Sequence, residues 1–186
     1  VGRWEPDARG RLAQAALELF LERGYDATTV ADIAARAGLT ERTFFRQFSD
    51  KREVLFGDPA AYFATFTDAI ASAPAAAKPL EALSAGLDAA TAAFAGMHPY
   101  ARLRQSVIDA NAPLREREQI KRAHLVDELS EALRRRGVAE STARLTAELG
   151  AVAFHLAFQR WVQAEEELDL TALTREVLAE LRAAAA

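Results

Sequence analysis

The chain has 186 residues, 51% of them hydrophobic and 27% charged, enough apolar material to bury a sizeable core in one two-part protein. It holds no cysteine, no long uninterrupted apolar span and no signal-like start, which argues against disulfides, thiolate metal sites and a membrane segment and leads us to expect a cytoplasmic protein. The formal net charge of −4 argues against nucleic acid only if the charge is evenly spread, and Arg42, Arg46, Lys51 and Arg52 instead gather in one stretch, opposed by Glu41 and Asp50, far from the acidic run Glu165-Glu166-Glu167.

Val1 to Asp7 shows no helical pattern, and Arg3, Arg9 and Arg11 read as a basic arm or helix edge beside a DNA backbone. From Ala8 to Arg23 the residues Leu12, Ala15, Ala16, Leu19 and Phe20 form one apolar stripe, ended by Gly24 with Tyr25 as a closing contact. Thr29 with Asp32 is a capping-box pair that starts a second helix, whose apolar face is Val30, Ile33, Ala34 and Ala37. Gly38 ends it. After Leu39, Thr40 caps a third helix in which Phe44 and Phe48 face inward, leaving Glu41, Arg42, Thr43, Phe45, Arg46 and Gln47 toward solvent. Asp50 with Glu53 reads as a further cap, with a helix from Lys51 whose amides are available to a phosphate.

Pro59 should kink or break the chain after Gly57-Asp58. Tyr62, Phe63, Phe66 and Ile70 continue a helix, 72–79 is a loop, and Leu80, Leu83, Leu87, Ala90 and Phe94 mark the next helix, up to Gly96. Pro99 starts a helix with Leu103, Val107 and Ile108 inside, broken at Asn111-Ala112-Pro113. From Leu114 to Arg136 the inner residues are Ile120, Leu125, Leu129 and Leu133, with Arg134, Arg135 and Arg136 as cations at the C-terminal end, closed by Gly137. Between Ser141 and Glu165 the apolar residues take two faces: Leu145, Leu149, Val152 and Leu156 on one, Ala147, Ala151, Phe154, Phe158 and Trp161 on the other. A helix apolar on both sides is buried on both sides, so a partner chain is expected to cover one face, with Ala147, Gly150 and Ala151 permitting a close approach. The last helix, from Leu170 to about Arg182, carries Leu173, Val177, Leu178 and Leu181.

The pattern Thr29, Ile33-Ala34, Ala37-Gly38, Thr40, Phe44-Phe45, Phe48 and Lys51 resembles the TetR family of bacterial transcriptional regulators. The segments RQSVIDANAPLREREQIK and EALRRRGVAESTARLTAELGAVAFHLAFQRW resemble the C-terminal domains of actinobacterial members of the kind named for the mycofactocin regulator. The resemblance implies an all-α fold: an N-terminal three-helix helix-turn-helix domain over 1–56 with the start of a long linking helix, and a ligand-sensing and dimerisation bundle over 57–186, about nine helices in all. It further implies a homodimer through the last two helices, a double-stranded DNA operator and a small-molecule effector. The family usually has Tyr where this chain has Phe45, which removes one phosphate hydrogen bond but keeps a ring for a sugar or thymine methyl.

On this reading Arg42, Arg46 and Gln47 are base-edge candidates, since Arg grips guanine and Gln grips adenine through paired bonds, and Thr29, Thr40, Thr43 and Lys51 are backbone candidates. The candidate walls of an effector site are Phe63, Phe66, Phe94, Met97, Tyr100 and Leu103, with Phe154 and Phe158; Asn111, His124, His155 and Gln159 are candidates to orient the ligand. For each of these wall residues taken singly, plain core packing is the better reading. An enzyme is not expected, because His98, His124 and His155 are isolated in sequence, no Gly-rich phosphate loop follows a strand and no cysteine nucleophile exists; no metal or cofactor is expected either. The expected function is a ligand-responsive dimeric repressor on a palindromic operator, released by a small hydrophobic molecule. The alternative is a helical ligand-binding or protein-interaction dimer without specific DNA binding.

Overall fold

The computed structural model describes residues 8–166 and 168–184, all-helical with no strand among them. The expected arm at Arg3, and Glu167 of the acidic run, lie outside the described residues. The order is α1 (Ala8–Arg23), α2 (Val30–Arg36), α3 (Glu41–Gln47), a 3-10 turn (Lys51–Leu55), α4 (Pro59–Ser72), α5 (Pro79–Ala92), α6 (His98–Ala110), α7 (Ala112–Arg135), α8 (Glu140–Gln163) and α9 (Leu170–Ala184). These divide into two units. The first runs through Asp58 and takes in Leu103–Glu118; the second comprises Pro59–Arg102 and the chain from Gln119 onward. The division therefore cuts through α6 and α7, each of which contributes to both units.

The first unit is built on the stripe expected in α1. Leu12, Ala16 and Phe20 are buried with Ile33 of α2, Phe44 and Phe48 of α3, and Val54, Leu55 and Phe56. Local chemistry sets the helix limits. Thr29 and Asp32 form the full capping box, the Asp32 amide donating to Thr29 Oγ1 at 3.1 Å and the Thr29 amide to Asp32 Oδ2 at 2.9 Å. Gly38, at φ +66, takes the left-handed conformation that ends α2, and the Leu39 amide returns to the Ala34 carbonyl at 2.8 Å. Thr40 caps α3 by accepting from the Thr43 amide at 3.2 Å.

Three expectations for this unit are corrected. The helix expected from Lys51 is a five-residue 3-10 turn, capped by Asp50 accepting from the Arg52 amide at 2.7 Å. Glu53 does not turn back to the cap as a capping-box partner would; its carboxylate pairs with Arg117, sixty-four residues away. Arg9 and Arg11 are internal ties rather than a basic arm: Arg9 donates to the Gln47 carbonyl at 2.6 Å and to the Gly57 carbonyl, with its guanidinium 4.3 Å from the Phe48 ring centre, and Arg11 donates to the Ala37 carbonyl.

In the second unit α4, α5, α8 and α9 enclose a core that includes Phe66, Ile70, Leu83, Leu87, Leu125, Leu129, Leu133, Trp161 and Val177. Pro59 does not kink a long helix. The chain leaves the 3-10 turn, passes Gly57 at φ +66 and exposed Asp58, and starts α4 afresh at Pro59, where a missing amide proton costs nothing. Two glycines permit close helix packing. A Cβ on Gly86 would stand 2.9 Å from the Phe66 carbonyl oxygen, and one on Gly150 would stand 2.7 Å from a Leu83 methyl. The small residues Ala147, Gly150 and Ala151 are thus buried within the chain, not held for a partner. What α8 leaves outward is the opposite stripe, with Leu145 71% and Val152 37% exposed and Leu149 and Leu156 half-buried.

Two further corrections concern α7. It begins at Ala112 rather than Leu114, and Ile120, expected inside, is 45% exposed. Of the three arginines at its end, Arg134 and Arg135 pair with Glu131 of the previous turn. Arg136 caps a different helix, spreading its guanidinium over the carbonyls of Ile70, Ala71, Ala73 and Pro74 at 2.7–3.3 Å, at and just beyond the end of α4.

Candidate nucleic-acid interface

Helices α2 and α3 with the turn Ala37–Thr40 make a helix-turn-helix. Burial of Phe44 and Phe48 fixes the rotation of α3 about its axis, so Glu41, Arg42, Phe45 and Arg46 are exposed while Thr43 and Gln47 are half-buried. Phe45 is 56% exposed, a large apolar area for a solvated face. The Thr40 and Thr43 hydroxyls stand 3.1 Å apart beside the start of α3. Thr29 is exposed at the start of α2, and its hydroxyl also donates to Asp32. That network holds the Asp32 carboxyl at a pKa of about 2, with the Thr29 hydroxyl and amide as the main causes.

Ion pairing sorts the cations of this unit. Arg23 pairs with Asp32, Arg36 with Glu22 and Glu18, and Arg52 with Asp50. Arg42 and Arg46 form no ion pair among the described residues and are the guanidinium groups available to an outside anion. Lys51 is placed differently from a surface phosphate ligand. Its Nζ donates to the Tyr25 carbonyl at 2.8 Å and the Thr28 carbonyl at 2.9 Å and lies 4.0 Å from the Tyr25 ring centre; burial pushes its pKa down. One of three ammonium protons is left over.

Residues 12–56 match the family described as bacterial regulatory proteins, tetR family. Over those residues the chain is similar to the TetR family. TcmR of Streptomyces glaucescens, an HTH-type transcriptional regulator, is 43% identical over 76 residues, which are 41% of this chain and 34% of that protein. MftR of Mycobacterium tuberculosis, named for mycofactocin biosynthesis, is 34% identical over 64 residues, 34% of this chain and 32% of its own length. The chain thus spans about a third of these relatives, and the 64-residue match to MftR is too short to carry that likeness across 57–186. The fold extends further. The complex of SmeT with triclosan superposes with a TM-score of 0.66 at 22% identity, covering 95% of this chain and 90% of that one. SmeT is the repressor of a Stenotrophomonas maltophilia multidrug efflux pump.

The effector-site candidates fall into four groups. Phe66, Phe94, Phe154 and Phe158 come together, with ring centres 5.7 Å apart for Phe66–Phe154 and Phe94–Phe158 and 6.2 Å for Phe94–Phe154. Phe63 joins this group through Tyr62, which lies 5.3 Å from Phe63 and 5.2 Å from Phe66. Tyr100 and His155 are half-buried in the same unit. Met97, His124 and Gln159 are exposed. Leu103 and Asn111 belong to the first unit instead, Leu103 being 49% exposed and Asn111 donating to the Val107 carbonyl at 2.6 Å.

Two features escaped the sequence reading. His98 is buried with Nε2 2.8 Å from the Trp161 carbonyl, which can only accept, so Nε2 carries the proton; its ring centre is 5.0 Å from that of Trp161. Arg104 and Arg117 are bound into the first unit from α6 and α7. Neither has a local signal, since each contact joins residues about fifty or more positions apart. Among the described residues no helix is long and apolar enough to cross a membrane.

Proposed function

We propose that the chain is a ligand-responsive, DNA-binding transcriptional regulator acting as a homodimer, with α3 of each protomer in the major groove of one half of a palindromic operator. The observation that carries this reading is the outer face of α3: Arg42 and Arg46 are exposed without ion pairs and flank an exposed Phe45. A guanidinium reads guanine through two parallel bonds, and an apolar ring suits a thymine methyl. Gln47 adds an adenine reader, with Thr29, Thr40 and Thr43 directed to phosphates. That TcmR and MftR are named as transcriptional regulators supports the same reading.

The outward stripe Leu145, Leu149, Val152 and Leu156 of α8 supplies the dimer face together with α9. The aromatic group Phe63, Phe66, Phe94, Phe154 and Phe158 suits a small hydrophobic effector, the class to which the triclosan bound by SmeT belongs. Repression follows from occupancy, because a small dimer seated on an operator obstructs polymerase without a recruiting surface. The test is selection of bound sequences from a random duplex pool at low salt. Two copies of one motif in inverted repeat are expected; a pool that shows no enrichment would overturn the DNA-reading proposal.

A further inference from the structure

Ion pairing leaves a particular set of side chains on the outer face of α3. Arg23, Arg36 and Arg52 are each neutralised by a carboxylate. Arg42 and Arg46 are not, and Glu41 is exposed and likewise forms no ion pair among the described residues. Glu41 and Arg42, adjacent in sequence, do not face each other, but both neighbour Phe45, at i, i+4 and i, i+3. Phe45 is 56% exposed, and its ring stands edge-on to buried Phe44, with centres 5.5 Å apart and planes at 80°. The ring is therefore held from beneath and open above, with a free carboxylate and a free guanidinium one turn before it. Arg46 lies one turn beyond Arg42, a like-charge pair that disfavours the free helix and is relieved by an anion.

In the major groove cytosine presents its N4 amino group as a donor, and methylation at C5 sets a methyl beside that donor on the same base edge. Thymine presents its methyl beside the O4 acceptor instead. A carboxylate accepts from the N4 amino group, an apolar ring covers a methyl, and a guanidinium pairs with N7 and O6 of guanine. Glu41 is repelled by phosphates and by the thymine O4, and the amino group of adenine lies beside the N7 acceptor, so cytosine is the base that suits it. Adjoining bases are about 3.4 Å apart along a strand, within reach of side chains whose Cβ atoms are about 5–6 Å apart. We infer that Glu41 and Phe45 read a C5-methylated cytosine while Arg42 reads an adjoining guanine, so that methylation of the operator strengthens binding. This rests on the DNA-reading proposal and goes beyond it in naming the base modification to which the reader responds.

The test uses the full chain and a random duplex pool prepared twice, once with cytosine and once with 5-methylcytosine. In the best binder, each pyrimidine next to a guanine is varied in turn as cytosine, 5-methylcytosine, thymine and uracil, the last two differing only by the methyl. At one such step per half-site 5-methylcytosine should bind about fourfold tighter than cytosine, the worth of one buried methyl, and tighter than thymine. Phe45→Ala, at an exposed position and checked for unchanged helicity, should bring cytosine and 5-methylcytosine to equality, read as a ratio at a salt concentration where the variant still binds. Glu41→Ala should bring thymine and 5-methylcytosine to equality, and Arg42→Ala should erase the preference for guanine at the adjoining position alone. A methyl effect absent at every step, or one that survives Phe45→Ala, would overturn the inference. So would a gain seen only for thymine over uracil, which would give the methyl to thymine. Binding to ordinary duplexes without a methyl response refutes this inference and leaves the reader standing, whereas no binding to either pool refutes both.

Discussion

Lys51 separates two physical roles that the same charge can play. As a phosphate ligand, it would add one released counterion per protomer and leave the fold indifferent to its removal. The contacts argue for the other role. Its ammonium donates two bonds to the Tyr25 and Thr28 carbonyls at 2.8 and 2.9 Å and stands 4.0 Å over the Tyr25 ring, tying the 3-10 turn to the loop that precedes α2. Bonds from a charged donor contribute roughly 1.5–3 kcal/mol each, and the ring about 0.5–1 kcal/mol more at a partly exposed site. Burial opposes this, as the depressed pKa of Lys51 records, so a net loss of about 2 kcal/mol is expected for Lys51→Met, which keeps the chain length and removes the charge. Urea unfolding measures that loss, and a salt titration of duplex binding measures the other role. The expected result is a less stable chain whose log–log salt slope changes by well under the ~0.9 that one lost phosphate contact produces. A Lys51→Met chain as stable as the native one, with the slope reduced by that full amount, would refute the structural role and return Lys51 to the phosphate backbone.

The capping box of α2 makes stability pH-dependent in a defined window. Asp32 is depressed from 3.8 to about 2 in the folded chain, so its contribution is complete above the unfolded value and lost as pH falls through about 2; thermal melts between pH 5 and 2 should show this loss, and Asp32→Asn should remove that component. Gly86→Ala gains about 1 kcal/mol of helix propensity but sets a Cβ 2.8 Å from Ile70 Cγ1 and 2.9 Å from a backbone oxygen, for a net loss of about 1 kcal/mol by chemical denaturation; a stabilised variant would mean that α4 and α5 separate more easily than their packing suggests. Leu145→Lys with Val152→Lys should leave helicity unchanged and convert the proposed dimer to monomer in sedimentation, because both side chains are exposed on the single chain. Pro59→Ala should alter neither stability nor ligand response measurably, whereas Gly57→Ala, strained at φ +66, should cost about 1–2 kcal/mol; the reverse ranking would make Pro59 rather than Gly57 the constrained position.

What the sequence showed and what it hid differ by range. The Thr29–Asp32 box, the Thr40 cap, the Gly38 stop and the inward pair Phe44 and Phe48 all follow from spacings of three or four residues, which the helix itself converts into contacts. Arg136 looked like a cap because it ends a helix, and it is one, but for α4; nothing near Arg136 in sequence encodes that the end of α4 arrives beside it. Glu53 had the right offset from Asp50 for a cap and was taken instead by Arg117, a planar fork offering two charged bonds against a single backbone amide. On α8 the two apolar faces were visible, but their assignment was not. Small residues permit close approach to any helix, and here α5 uses them, leaving the large aliphatic residues outward. The effector candidates divided for the same reason: the aromatic residues of α4 and α8 met in one core, while Leu103 and Asn111 fell to the other unit because α6 is shared between the two.

The ion-pair pattern supports the proposed dimer by a route other than covering an apolar stripe. Among the described residues of the first unit most arginines are neutralised by nearby carboxylates or spent on backbone carbonyls, which leaves Arg42 and Arg46. Two or three phosphate or base contacts per reader give a weak, shallowly salt-dependent association, with a log–log slope of about 2–3 by counterion release. A reader so sparsely charged does not hold DNA alone on a chain whose formal charge is −4. Joining two of them makes the second contact intramolecular, so its strength depends on how well the fixed separation of the two α3 helices matches one turn of duplex, about 34 Å. Affinity then becomes sensitive to small displacements of each reader, because the penalty for a mismatch falls on a contact that is weak by itself.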